Sequence, residues 1–264
     1  MITLDGRVAL VTGAGRGLGA SHARALAAHG AQVVVHDAGV DADGTGGDPA
    51  LANAVVAEIE AAGGTAVATY ENLESAAGCE RAVAAAVERF GRLDVVVQNA
   101  GLLAWEELEQ ADAGWERLRR VNVDAPFHLT RATFPLLREN GYGRFVFTTS
   151  GRAMSVGDTR PGLAAYAVGK MAHFALMLVA AAEGAEHGIA ANAISPAAAT
   201  RMLRREVEPG ELDPEQVSPA VVSSPPSSAR SPGRCWSAPA AASRWRAGRR
   251  ATPSTWGASP WRRT

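Results

Sequence analysis

Apolar positions along the chain fall into short, strand-length runs separated by longer stretches of helical period. Val8–Thr12 is a continuous apolar run that ends in glycines, the pattern of a strand buried on both faces. Leu18–His29 follows as a helix with an Ala-rich face, and Gln32–His36 carries three consecutive valines. After a Gly/Asp loop over 41–49, Leu51–Ala62 reads as a helix stopped by Gly63-Gly64. Further strands are predicted at Ala66–Tyr70, Leu93–Gln98, Arg144–Thr149 and Ile189–Ile194. Helices are predicted at Cys79–Phe90, Trp115–Arg138 and Leu163–Glu186. Strict alternation of strand and helix implies crossover units and a parallel sheet covered on both faces. The expected fold is therefore α/β, a single Rossmann-type doubly wound parallel sheet. Its ligand would bind outside the carboxyl ends of the strands.

Residues 223–264 break this pattern. They contain no Leu, Ile, Val, Met, Phe, Tyr, Asp, Glu, Lys, Asn, Gln or His, yet hold four of the six tryptophans. The chain thus divides into a domain over 1–222 and an aberrant Arg/Ser/Pro/Trp tail, expected to be disordered. Out-of-frame codons of a GC-rich gene favour Arg, Ala, Pro, Ser, Gly and Trp, so a shifted reading frame near Val222 would explain the change. A packed strand within the tail would overturn that explanation, and an unpaired ribbon would support it. A native disordered arm is the other explanation.

Charge sharpens the division. Residues 1–222 hold 18 basic and 27 acidic side chains, a net of −9, whereas the tail has eight Arg and no acid. An acidic body gives no footprint for nucleic acid; a nucleic-acid-binding role for the tail has only its Arg/Trp composition behind it. Cys79 and Cys235 lie far apart, which excludes a disulfide scaffold and points to a reducing, cytoplasmic location. The six histidines never fall at ligand spacing, so no catalytic metal is expected. No signal peptide is read at Met1–Gly6, and no stretch reads as apolar enough for long enough to span a bilayer.

Two constellations carry chemistry. Thr12-Gly13-Ala14-Gly15-Arg16-Gly17-Leu18-Gly19 links the first strand to the first helix, where glycines let the backbone approach a pyrophosphate. Asp37 ends the second strand, 18 residues after Gly19, where a carboxylate accepts ribose hydroxyls and repels a 2′-phosphate. That favours NAD over NADP, although Arg16 in the turn pulls the other way. Tyr166 and Lys170 lie four apart on the long predicted helix, so they share a face. Such a pair is commonly just a solvated helix face. Here, however, Lys170 is the only lysine, against 25 arginines. A compact ammonium that lowers the phenol pKa would let Tyr166 exchange a proton with an alcohol or carbonyl oxygen as hydride moves.

These residues together resemble the short-chain dehydrogenase/reductase superfamily, over about residues 5–222. Thr12–Gly19 resembles its T-G-x-x-x-G-x-G turn, and Asn99-Ala100-Gly101 its N-A-G after the fourth strand. The resemblance implies a tetrad of Asn122, Ser150, Tyr166 and Lys170, with Ser155 as a weaker alternative for the serine. It implies cofactor contacts from Asn72 (or Glu71) and Leu73 near the adenine, and from Ile194, Pro196 and Thr200 near the nicotinamide. It also implies a homodimer or homotetramer. The chain departs from the family in several places. The Ser150–Tyr166 gap of 16 is longer than usual, through Ser155–Pro161. Ala197 replaces a glycine, and the final strand with its V-T-G and G-G pattern is absent. The insertion from His36 to Asp48 and the run Asn53–Gly64 are similar to the (3R)-hydroxyacyl-CoA dehydrogenase part of type-2 multifunctional β-oxidation enzymes, which implies an acyl-CoA or another bulky secondary alcohol. The reading is an NAD-dependent alcohol/ketone oxidoreductase; the alternative is a non-catalytic dinucleotide-binding protein.

Overall fold

The computed structural model describes residues 2–41, 45–198, 208, 211–223 and 235–238. Strands β1 (Val8–Thr12), β2 (Gln32–His36), β3 (Thr65–Thr69), β4 (Val95–Gln98), β5 (Gly143–Thr148) and β6 (Ile189–Pro196) form one parallel sheet. Helices α1 (Gly17–Ala28), α2 (Ala50–Ala61) and α3 (Ala76–Phe90) connect the first strands. Later come α4 (Asp112–Arg119), α5 (Ala125–Glu139), α6 (Gly151–Met154), α7 (Ala164–Gly184) and α8 (Ser218–Val222). The sheet order β3-β2-β1-β4-β5-β6 reverses direction between β1 and β4, which is where a doubly wound sheet opens its ligand crevice.

Alternate residues of each strand feed two separate cores. Ala9, Val11, Val33, Val35, Val95, Val97 and Val146 pack towards α1, α2 and α8. Val8, Leu10, Val34, Val96, Phe145 and Phe147 pack towards α3, α5 and α7. The unbroken apolar runs follow directly, because a strand covered on both faces has no solvent side to mark with polar residues. Local signals end the helices where expected: Ser75 Oγ accepts from Gly78 N at the start of α3, and Gly91 closes it with φ +77.

Three expectations are refined or corrected. Trp115–Arg138, expected to be mostly helix, is α4 and α5 joined by a π-helical turn at Arg120–Asp124, which carries the buried Asn122. No Gly or Pro marks that turn in the sequence. Secondly, the helical stretch Ala164–His187 is long and apolar enough to cross a membrane, with 24 residues at a mean hydropathy of 1.5. In the fold α7 packs one face against β5 and β6, with Met177, Ala180 and Ala181 buried, and leaves Val168, Met171, Leu178 and Val179 exposed. Thirdly, the tail is not without a strand. A four-residue β7 (Cys235–Ala238) pairs parallel with β6, Ala193 to Cys235 through Pro196 to Ala238, and takes the seventh place in the sheet. Backbone pairing explains this: the outer edge of β6 presents a row of N–H and C=O groups that almost any extended segment can satisfy.

Candidate active site

The turn after β1 is shaped for a close ligand. Gly13 has φ +64, and a Cβ there would lie 2.9 Å from Ala100 Cα; a Cβ at Gly19 would lie 2.1 Å from the Gly13 carbonyl oxygen. The two backbones therefore meet at a distance only glycine allows. Helix α1 starts just beyond, with no side-chain cap at Arg16 and no acid in its first turn. Its first N–H groups thus lack a side-chain acceptor, which fits a pyrophosphate. Across the crevice, Thr12 Oγ1 accepts from the amides of Asn99 and Ala100, both at 3.1 Å, and Asn99 Nδ2 donates to the carbonyls of Thr12 and Gly13.

Asp37 is buried at the end of β2. Its Oδ2 accepts from Gly15 N at 2.7 Å and its Oδ1 from Gly39 N at 2.8 Å, so the carboxylate is fixed against the turn. Arg16 reaches the same loop by donating from Nη2 to the Val40 carbonyl at 2.9 Å. Leu18 is half-buried beside Gly17. Of the residues expected near the adenine, Leu73 is buried, Asn72 is exposed with its Oδ1 on Glu74 N, and Glu71 pairs with Arg81 at 3.0 Å.

A second group converges on the ends of β4 and β5. Lys170 is buried, and its Nζ donates to the Thr148 carbonyl oxygen at 3.0 Å. Thr149 Oγ1 donates back to the Lys170 carbonyl at 2.8 Å. Asn122 uses its side chain on Leu102, accepting from its N at 2.8 Å and donating to its O at 2.9 Å. A Cβ at Gly101 would sit 3.1 Å from Lys170 Nζ and 3.2 Å from Asn122 Oδ1. The N-A-G segment therefore packs directly on this pair. Ser150, the N-cap of α6, stands near enough to Tyr166 to draw the phenol pKa down. The Tyr166 ring centroid lies 5.9 Å from Lys170 Nζ. Ser155 is exposed at the far end of α6. Ile194 is buried and Pro196 half-buried at the end of β6; Thr200 lies outside the described residues.

The electrostatics differ from the sequence expectation. Burial pushes the Tyr166 phenol above its ordinary value, against a downward pull from the Ser150 hydrogen bond and the Arg152 charge. Burial also lowers Lys170 to about 8. In the protein alone, desolvation outweighs any help the ammonium gives the phenol.

Two residues at the mouth of this site escaped the sequence reading. Arg152 places its guanidinium 5.6 Å from the Trp105 ring centre. Beyond Trp105 lies a cavity of about 390 Å³, lined also by Glu106, Glu107, Gln110, Pro161 and Gly162. These come from loops far apart in the chain, and no spacing rule links them.

Comparison with known proteins agrees with this geometry. Residues 7–211 match the family model for short chain dehydrogenase. The chain is similar to a short-chain type dehydrogenase/reductase of Mycobacterium tuberculosis, 40% identical over 221 residues, covering 81% of this chain and 76% of the relative. It is also similar to the peroxisomal multifunctional enzyme type 2 of Mus musculus, 39% identical over 226 residues, which cover 84% of this chain but 30% of that enzyme. Among solved structures it resembles a short chain dehydrogenase from Mycobacterium avium, with TM-score 0.73 and 38% identity over 83% of this chain and 77% of that one. A metagenomic short-chain oxidoreductase in complex with NADP aligns with TM-score 0.73 and 28% identity, covering 89% of this chain and 98% of the other.

Proposed function

The chain belongs to the short-chain dehydrogenase family, and from that premise we propose that it moves a hydride between NAD and a secondary alcohol or ketone, with Tyr166 as general acid/base assisted by Ser150, Lys170 and Asn122. The observation that carries this reading is the convergence of Ser150, Tyr166 and Lys170 at the ends of β4 and β5, beside a glycine turn cleared for a dinucleotide.

Bound nicotinamide would accept or supply the hydride. In the oxidative direction the substrate hydroxyl proton passes to the Tyr166 oxygen while Ser150 Oγ holds the substrate oxygen. A phenolate must exist first; Ser150 and the Arg152 charge pull its pKa down against burial, and the buried Lys170 ammonium would add to that pull. Asn122 positions the Leu102 loop over Lys170 rather than touching substrate.

Asp37 supports NAD over NADP, since a 2′-phosphate would be set against a buried carboxylate. A solved relative was captured with NADP, so both cofactors belong in the test. Likeness to a multifunctional enzyme supports an acyl thioester among the substrate classes. The buried free thiol Cys79 suits a reducing compartment such as the cytoplasm, while named relatives include peroxisomal enzymes. Exposed Phe127 on α5 and Val168, Met171 and Val179 on α7 offer an apolar surface for a second copy, which supports a homodimer. Retention of all three reacting side chains weighs against a non-catalytic dinucleotide binder. Reduction of NAD and of NADP by the protein, followed over a panel of secondary alcohols, tests the proposal. Turnover with NAD is expected; tight NAD binding with no turnover on any alcohol would favour the non-catalytic alternative.

A further inference from the structure

We propose that Arg152 is a specificity-determining residue that binds a carboxylate carried beside the reacting carbon, so that the preferred secondary alcohol is a hydroxy acid. This rests on the dehydrogenase reading for the place where hydride transfer occurs. Arg152 lies two residues after Ser150, and its backbone N donates to Ser150 Oγ at 3.2 Å. Its side chain therefore springs from the short helix that Ser150 caps. The backbone carrying it is braced, because Thr159 Oγ1 donates to the carbonyls of Arg152 at 3.1 Å and Ser155 at 2.9 Å. The residues that lengthen the Ser150–Tyr166 segment thus close on themselves and present Arg152 at the cleft.

The guanidinium is half-buried, 5.6 Å from the centre of the Trp105 ring. Contact with an aromatic face leaves the planar N–H edge open to a bidentate acceptor. Among the ion pairs of the described residues Arg152 takes part in none. Asp158 stands on the same loop, its Oδ2 3.2 Å from where a Cβ on Gly151 would lie, without pairing with Arg152. A cation at the rim of a site whose reacting groups are a phenol and a serine is matched by an anion on the substrate. The cavity of about 390 Å³ beyond Trp105 leaves room for an alkyl chain on the far side of the reacting carbon.

The test uses 3-hydroxybutyrate and its methyl ester as matched probes, with NAD, on the full chain. Wild type is expected to prefer the acid. Arg152→Gln should lower kcat/KM for the acid relative to the ester by about tenfold to a hundredfold, the range for losing a hydrogen bond to a charged group. Arg152→Lys should keep part of the preference. An acid-to-ester ratio unchanged in Arg152→Gln would overturn the proposal. Calorimetric titration with acetoacetate asks the same question without turnover. Binding to wild type that weakens in Arg152→Gln supports the carboxylate site; no binding, or equal binding to both, overturns it. Absence of turnover with both probes alongside Arg152-dependent acetoacetate binding would instead sink the dehydrogenase reading.

Discussion

The Lys170 ammonium donates to the carbonyl oxygen of Thr148 at 3.0 Å, which hangs the chain's single lysine from the last residue of β5. Gly101 closes over it, with room for a Cβ only 3.1 Å from Nζ. A guanidinium is larger and planar, and it cannot replace that compact charge in the same space. Lys170→Arg is therefore expected to lower kcat by about a hundredfold or more, the usual range for losing acid–base assistance. Steady-state kinetics beside a melting curve checks this. A folded variant with wild-type kcat would remove Lys170 from the mechanism.

Asp37 holds Gly15 N at 2.7 Å, so it shapes the glycine turn proposed to hold the cofactor. Replacing it with Ala should weaken NAD binding and improve NADP relative to NAD by at least about tenfold, because a like-charge contact costing several kcal/mol is removed. Fluorescence titration with both dinucleotides measures the ratio. An unchanged ratio would mean that Asp37 serves the turn alone.

His22 is buried on α1, where Nδ1 lies 2.8 Å from Ser218 Oγ and Ser21 Oγ lies 2.7 Å from the same atom. This ties α8 to the helix that follows the glycine turn. Burial lowers the His22 pKa from 6.5 to about 3. As pH falls the unfolded chain takes up the proton first, so His22 contributes a loss of stability from pH 6.5 down towards pH 3. His22→Gln should cost about 1 kcal/mol at neutral pH through the hydrogen bond. It should also flatten the acid side of the stability curve, read from denaturant midpoints across that pH range. Parallel curves for the two proteins would show that His22 does not titrate on unfolding.

The tail poses a question that nucleotides answer. Read one nucleotide earlier, Cys235-Trp236 yields Leu with either cysteine codon, and the Arg234–Cys235 step yields Val, Leu or Met. Trp236-Ser237 yields Val wherever serine uses a TCN codon, and Pro232-Gly233 yields Gly wherever the proline codon ends in G. An apolar, strand-forming run thus lies in the other frame at the residues that form β7. The presence of β7 shows that the tail as written can pair along β6, but pairing through the backbone does not depend on side chains. Strand β7 meets the condition set against a shifted frame, whereas the apolar run in the other frame favours one. Sequencing the gene between the codons for Val222 and Ser231 decides: an unbroken frame there agrees with β7, and a one-nucleotide displacement agrees with the other frame.

Much of the fold was legible because strands such as Val33–Val35 and Val95–Val97 are covered on both faces and so read as unbroken runs. The glycine turn, Asp37, Tyr166 and Lys170 were legible because each depends on local spacing. The π-turn at Asn122 was not, since Arg120–Asp124 contains no residue that breaks a helix. Nor was the pairing of Arg152 with Trp105, which depends on two loops meeting across the cleft. The direction of the Tyr166 pKa shift was also hidden. Spacing predicts a neighbouring charge, but only the folded structure says how much water the phenol has lost.

That Tyr166 exchanges the proton while hydride moves is checked by comparing NADH formation in wild type and Tyr166→Phe with the best alcohol of the panel. Loss of the phenol oxygen is expected to lower kcat by about a hundredfold to ten-thousandfold, with NAD affinity nearly unchanged. Tyr166→Phe turning over at the wild-type rate would contradict the account.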